Sequence, residues 1–158
     1  MEEIISTIKG KDQVHKILAH SYSLYLGALL VGLFLDFQFP VTIFSNPTMA
    51  SLGAVFLFFA TCLIVWAQST NRDLEIDTEM LSIRTFMDGP YKYSRTPTHW
   101  GLFLLVLGFG IIYNALFIVV LTTISFIITK LIFIKQEEEL LAQKYGAPYR
   151  EYQKHVRL

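Results

Sequence analysis

Thirty-four consecutive residues, 96–129, carry no charged side chain. One straight helix through them would be about 50 Å long at 1.5 Å per residue. That is too long for a single crossing of a hydrocarbon core about 30 Å thick, which needs roughly 20 residues. Two more uncharged runs precede it: residues 17–35, nineteen long, and residues 37–71, thirty-five long. A chain with three such runs must place most of its length in apolar helices, and a bilayer is the solvent that accepts them. Composition agrees, with 53% hydrophobic and 16% charged residues against about 25% charged in an average soluble domain.

The first run gives a span over about 17–38. It lacks a small-residue cleavage site and has further apolar runs behind it, so it reads as a retained span and not a signal peptide. The second gives a span over about 48–70. Between them, QFPVTIFSNP holds two prolines and an Asn, which suits a loop. The third run holds Gly108, Gly110 and Asn114 near its middle, residues that favour a break. Divided there, it becomes a tight hairpin of helices over about 98–113 and 115–134.

Charge supports the division. The thirteen Lys and Arg fall in three segments: Lys9, Lys11 and Lys16; Arg72, Arg84, Lys92 and Arg95; and Lys130, Lys135, Lys144, Arg150, Lys154 and Arg157. Four spans put all three segments on one side, with uncharged loops opposite. Three spans would put the last six on the other side. The positive-inside rule therefore selects four spans with both termini cytoplasmic. The expected fold is an all-α membrane protein, one domain over 1–158, with a cytoplasmic helical tail. In that tail KQEEELLAQKYG continues the fourth span as a helix capped by Gly146. Pro148 then opens a short last helix with Tyr149, Tyr152 and Val156 on one face.

Zero net charge points to no nucleic acid, and the lone Cys62 excludes an internal disulfide. No His spacing supports a metal site. Chemistry concentrates in GPYKYSRTPTHWG, residues 89–101, and EEELLAQKYGAPYREY, residues 137–152. A hairpin brings its two ends to the same membrane face, so the clusters meet. Arg95, with Tyr91 and Tyr93, then faces Glu137 and Glu138. Such a site suits a zwitterion carrying a flat ring: the guanidinium fork holds both oxygens of a carboxylate, and a Glu holds an ammonium or ribose hydroxyls. Each residue also has a plainer reading. Arg95 is an ordinary topology anchor, Tyr91 and Tyr93 belt aromatics, the Glu pair a solvated helix face, and Gly89-Pro90 a turn. His20 and His99 suit hydrogen-bonded or interfacial positions. Gly101, Gly108 and Gly110 suit close helix approach.

The two clusters, separated by one hairpin, resemble the isoprenylcysteine carboxyl methyltransferase and phospholipid methyltransferase superfamily. The resemblance covers about residues 86–156. It rests on Gly89, Pro90, Tyr91, Arg95, Pro97 and Gly101, then on Glu137, Glu138, Leu141, Tyr145, Gly146, Tyr149 and Tyr152. Two positions depart from the usual pattern: Thr96 stands for a His and His99 for a Tyr. The resemblance implies an S-adenosyl-L-methionine-dependent methyltransferase acting on a lipophilic small molecule or lipid, with the site at the cytoplasmic face. It implies cofactor contacts over segments 86–101 and 135–156, from Gly89, Pro90, Tyr91, Tyr93, Arg95, Pro97, Glu137, Glu138 and Tyr149. Arg95, His99 and Glu138 are the expected catalytic group. Methyl transfer is an in-line displacement on an activated donor, so alignment matters most. An amine or thiol acceptor must also lose a proton, and His99 or a tyrosine could take it. The other class is a membrane scaffold or subunit that keeps the fold without turnover, a reading favoured by Thr96.

Overall fold

A computed structural model describes residues 2–76 and 86–156. Arg84 and Arg157, both counted in the basic segments above, lie outside the described residues. Six α-helices make up most of the described chain: α1 (Glu2–Gln38), α2 (Ala50–Ile76), α3 (Pro97–Ile112), α4 (Leu116–Ile128), α5 (Ile134–Tyr145) and α6 (Ala147–His155). Short 3₁₀ turns at Pro47–Met49 and Gly89–Lys92 lead into α2 and towards α3, and a π-helical turn, Thr129–Phe133, joins α4 to α5. Among the described residues the only β pairing is an isolated bridge between Thr42 and Ala115. The fold is thus an all-α membrane protein.

The boundaries differ from the expected ones at two ends. Helix α1 continues back to Glu2, well before residue 17, and α2 runs on to Ile76, so the connector after it starts later. Neither extension is apolar, so apolarity alone does not mark them. Among the described residues, two helices are long and apolar enough to cross a membrane by length and composition, over Ala50–Thr70 and Leu116–Gln143. Tyr22–Gln38 and Pro97–Ile112 are apolar but shorter.

Beside a few large buried side chains (Tyr25, Ile118 and Ile134), small residues fill much of the helix interfaces, and many large apolar side chains lie on the surface. Ala60, Ala67, Thr122 and Thr129 are fully buried, with Ser125 nearly so. Leu30, Phe34 and Phe37 of α1, Phe58 and Phe59 of α2, and Ile127 and Leu131 near the end of α4 lie on the surface. In water such a surface would be an aggregation hazard. In lipid, large side chains gain nothing by meeting each other, so small residues take the helix interfaces and let backbones approach. Gly53 and Gly108 show this directly. A Cβ on Gly53 would come 2.6 Å from the Gly108 carbonyl oxygen, and one on Gly108 would come 2.9 Å from that of Gly53. Helix α2 therefore lies close along α3. On the other side of the hairpin, α1 packs on α4 and then on α5. Tyr25, Val106, Ala115 and Ile118 form the core between α1, α3 and α4.

The hairpin breaks at Tyr113–Asn114–Ala115, as the residue types predict. Asn114 takes a positive φ of 55°, which Asn tolerates better than most residues. Its side chain also ties the far end of the bundle together. The Asn114 amide oxygen accepts from the Ile43 and Phe44 N–H groups at 2.9 and 2.8 Å, and its NH₂ donates to the Phe44 carbonyl at 2.8 Å. Asp36, close to the end of α1, accepts from the N–H groups of Phe117 and Ile118, both at 3.1 Å. It satisfies two orphan donors in the first turn of α4 and sets a negative charge against the positive end of that helix. Asp36 is the one charged residue between the first two apolar runs, and this capping contact is what holds it within the apolar end of α1.

Candidate functional site

Pro97 stands at the start of α3, where its missing N–H would have had no partner in any case. Arg95 is therefore in the lead-in to the helix and His99 in its first turn. The returning chain passes the π-turn and enters α5, which carries Glu137 and Glu138. The ends of the hairpin meet, and the four side chains pair off. Arg95 Nη1 lies 2.6 Å from Glu138 Oε1, with only 11% and 14% of the two side chains exposed. His99 Nε2 lies 3.2 Å from Glu137 Oε2, and the imidazole is 3% exposed. The Arg95–Glu138 contact is a close ion pair, without the alignment of a hydrogen bond at Glu138 Oε1. Both pairs leave capacity unspent. Arg95 Nε and His99 Nδ1 are buried and meet no hydrogen-bond partner among the described residues.

Beneath this group is an aromatic block. Tyr149 and Tyr152 of α6, with Val156 just after it, are buried against Phe86, Met87, Tyr91, Leu141, Ala142 and Tyr145. The Phe86 ring sits 5.2 Å from that of Tyr145 and 5.4 Å from that of Tyr149, both edge-on. The Tyr152 hydroxyl donates to the Tyr91 carbonyl at 2.7 Å. Burial pushes the Tyr149 and Tyr152 hydroxyls well above the ordinary phenol range, so both stay protonated at any physiological pH. The one-face pattern of Tyr149, Tyr152 and Val156 is realised, and it fastens the tail to the segment before α3. Gly146 gives the turn that aims α6 back, at a φ of 66°.

The Gly89–Lys92 turn docks on α2. Gly89 has a φ of 56°, and a Cβ there would run into the Thr70 hydroxyl; Pro90 beside it is buried. The Ser94 N–H donates to the Pro90 carbonyl at 3.2 Å, which carries the chain round towards Arg95. Gly101 lies against Ile64 and Ala60 of α2.

The sequence-predicted residues therefore sort by position. Arg95, His99, Glu137 and Glu138 come together at the mouth of the hairpin. Pro97 is buried at the start of α3. Tyr91 and Tyr149 belong to the aromatic block, and Gly89 and Pro90 to the docking turn. Tyr93 is 74% exposed and faces away from the packed groups. Thr96 is nearly buried, and its N–H takes the Ser94 hydroxyl as partner at 3.3 Å. One residue was missed. Tyr22 of α1 has its ring 6.3 Å from that of His99, so the first helix supplies a wall of the site. The only signal was the polar quartet HSYS, residues 20–23, at the inner end of an apolar run. Lys130, in the π-turn, sits 5.7 Å from the centre of the Trp100 ring, a cation–π distance. Among the described residues there is no cluster of three or more metal-ligating side chains.

The fold and site define a class: a helical membrane protein with a buried cation–carboxylate group where a helical hairpin opens. The sequence model of the phospholipid methyltransferase family matches residues 48–148, from the start of α2 into the first turn of α6. The chain belongs to that family, and through it to the superfamily of membrane methyltransferases that includes the isoprenylcysteine carboxyl methyltransferases. Comparison with curated proteins and with solved structures returns no match.

Proposed function

We propose that this chain transfers a methyl group from S-adenosyl-L-methionine to a lipophilic acceptor that reaches the site from the bilayer. The observation that carries the reading is the buried Arg95–Glu138 pair, with Arg95 Nε left without a hydrogen-bond partner among the described residues. A buried guanidinium N–H is expensive to leave unpaired, and a ligand carboxylate satisfies it. The second oxygen of Glu138 suits the ammonium group or a ribose hydroxyl of the same ligand. The residues thus fit an amino-acid zwitterion joined to a nucleoside. When bound, that cofactor supplies an activated methyl group.

The protein's own contribution is to hold and to shield. Arg95 and Glu138 fix the amino-acid end, and Glu137 holds His99 beside it. The Gly89-Pro90-Tyr91 turn, Pro97 and Tyr149 complete the cofactor-binding segments, with Tyr91 and Tyr149 acting as wall from within the aromatic block; the exposed Tyr93 takes no part in them. Four spans, with both termini and the site on the cytoplasmic side, follow from the placement of Lys and Arg. The acceptor is lipophilic because the site adjoins the start of α3, where the apolar stretch begins, and apolar helix faces surround it. Each buried methylene of such an acceptor gains about 0.8 kcal/mol.

The test is a series of acceptors with one reactive head and alkyl tails of increasing length. kcat/KM should rise with tail length. Equal efficiency for short, water-soluble acceptors would overturn the lipophilic-acceptor reading.

A further inference from the structure

We infer that His99 is the proton acceptor of the reaction and that Glu137 positions it, so that the acceptor's nucleophilic atom is one that must lose a proton. This rests on the methyltransferase reading above and narrows its substrate to amine or thiol heads, excluding carboxylates.

The argument starts from the imidazole's two nitrogens. Nε2 faces Glu137 Oε2 at 3.2 Å. A carboxylate there favours the tautomer with hydrogen on Nε2, which leaves Nδ1 as a lone-pair acceptor. Nδ1 is buried, in a side chain 3% exposed, and has no partner among the described residues. A buried acceptor of this kind calls for a donor from a ligand. The titratable and charged groups around the ring are Glu137 and Glu138 on α5, Arg95 ahead of α3, and Tyr22 on α1, whose ring is 6.3 Å away. Arg95 and Glu138 are engaged with each other, so Glu137 is the group that stabilises an imidazolium. The arrangement is that of an oriented histidine base with the carboxylate behind it.

The step balances. An ammonium or thiol head gives one proton to His99 Nδ1 and thereby frees a lone pair. The acceptor atom then takes the methyl with that lone pair and leaves the carbon–sulfur electrons on the departing thioether. His99 passes its proton to water after release. A carboxylate head already has its lone pair and would leave this nitrogen with nothing to do.

The experiment has two arms on full-length protein in detergent. ¹⁵N-histidine spectra, with His99 assigned by its loss in His99→Asn, should show the Nε2-protonated tautomer, and Glu137→Gln should shift that balance. Dodecylamine, dodecanethiol and dodecanoic acid are then offered with labelled S-adenosyl-L-methionine. Wild type should methylate the amine or thiol and not the acid. His99→Asn should lose about a hundredfold or more in kcat, with the gap narrowing as pH rises and free amine or thiolate accumulates. Cofactor affinity should stay within about threefold. An Nδ1-protonated tautomer, preferred methylation of the acid, or undiminished turnover in His99→Asn would each overturn the inference. Loss of cofactor binding in His99→Asn would do the same, by making His99 a cofactor ligand. Failure of wild type to bind the cofactor at all would overturn the underlying reading as well, and is seen separately from the tautomer result.

Discussion

At the scale of single residues, two adjacent glutamates on α5 have different partners. Glu138 takes Arg95 and Glu137 takes His99, while Glu139, the next in line, shows no ion pair with a described residue. Removing one member of a buried charge pair typically costs about 2–5 kcal/mol, much of it for the charge left behind. Arg95→Ala and Glu138→Gln should therefore weaken cofactor binding by about thirtyfold or more in a direct binding assay. Glu139→Gln should leave it unchanged, and equal losses at all three would reduce the site to a charged face. These side chains were legible in advance because motif spacing and a hairpin together force them to meet. The pairing among them was not: the sequence offers one cation and two carboxylates without saying which oxygen each nitrogen meets. Tyr22 was hidden for another reason, since an aromatic in an apolar span looks the same whether it faces lipid or a neighbouring helix.

The elements show the same division between periodic signal and tertiary contact. The length of the third uncharged run demanded a break, and Asn114 sits at it. What the sequence hid was that Asn114 and Asp36 bind the two outer connections to one another, through contacts about 70 and 80 residues apart in sequence. Asp36→Ala removes a helix cap, worth about 1 kcal/mol. Asn114→Ala strands half-buried backbone groups and also loses a residue suited to positive φ, together about 1–3 kcal/mol. Both should lower the thermal unfolding midpoint in detergent, Asn114→Ala more than Asp36→Ala. The π-turn at Thr129–Phe133 could not be read beforehand either, because nothing in TKLIF marks the extra residue. Such turns often lie at functional sites, and this one directly precedes the helix that bears Glu137 and Glu138.

For the whole molecule, the many large apolar side chains on the surface suit a lipid surrounding, and the placement of Lys and Arg is the support for the proposed four-span orientation. In a Cys62→Ala background, single cysteines at Ser45 and Tyr113 should react with an impermeant thiol reagent from outside the cell. A cysteine at Lys154 should not, and its labelling from outside would separate the tail from the cytoplasm and sink the four-span arrangement. In the proposed function, the residues at the hairpin's mouth hold S-adenosyl-L-methionine through Arg95 and Glu138. Equilibrium binding of labelled S-adenosyl-L-methionine to the purified protein in detergent tests it most directly. One saturable site in wild type, lost in Arg95→Ala and kept in Glu139→Gln, is the predicted result. No saturable binding in wild type, or binding unchanged in Arg95→Ala, would contradict it.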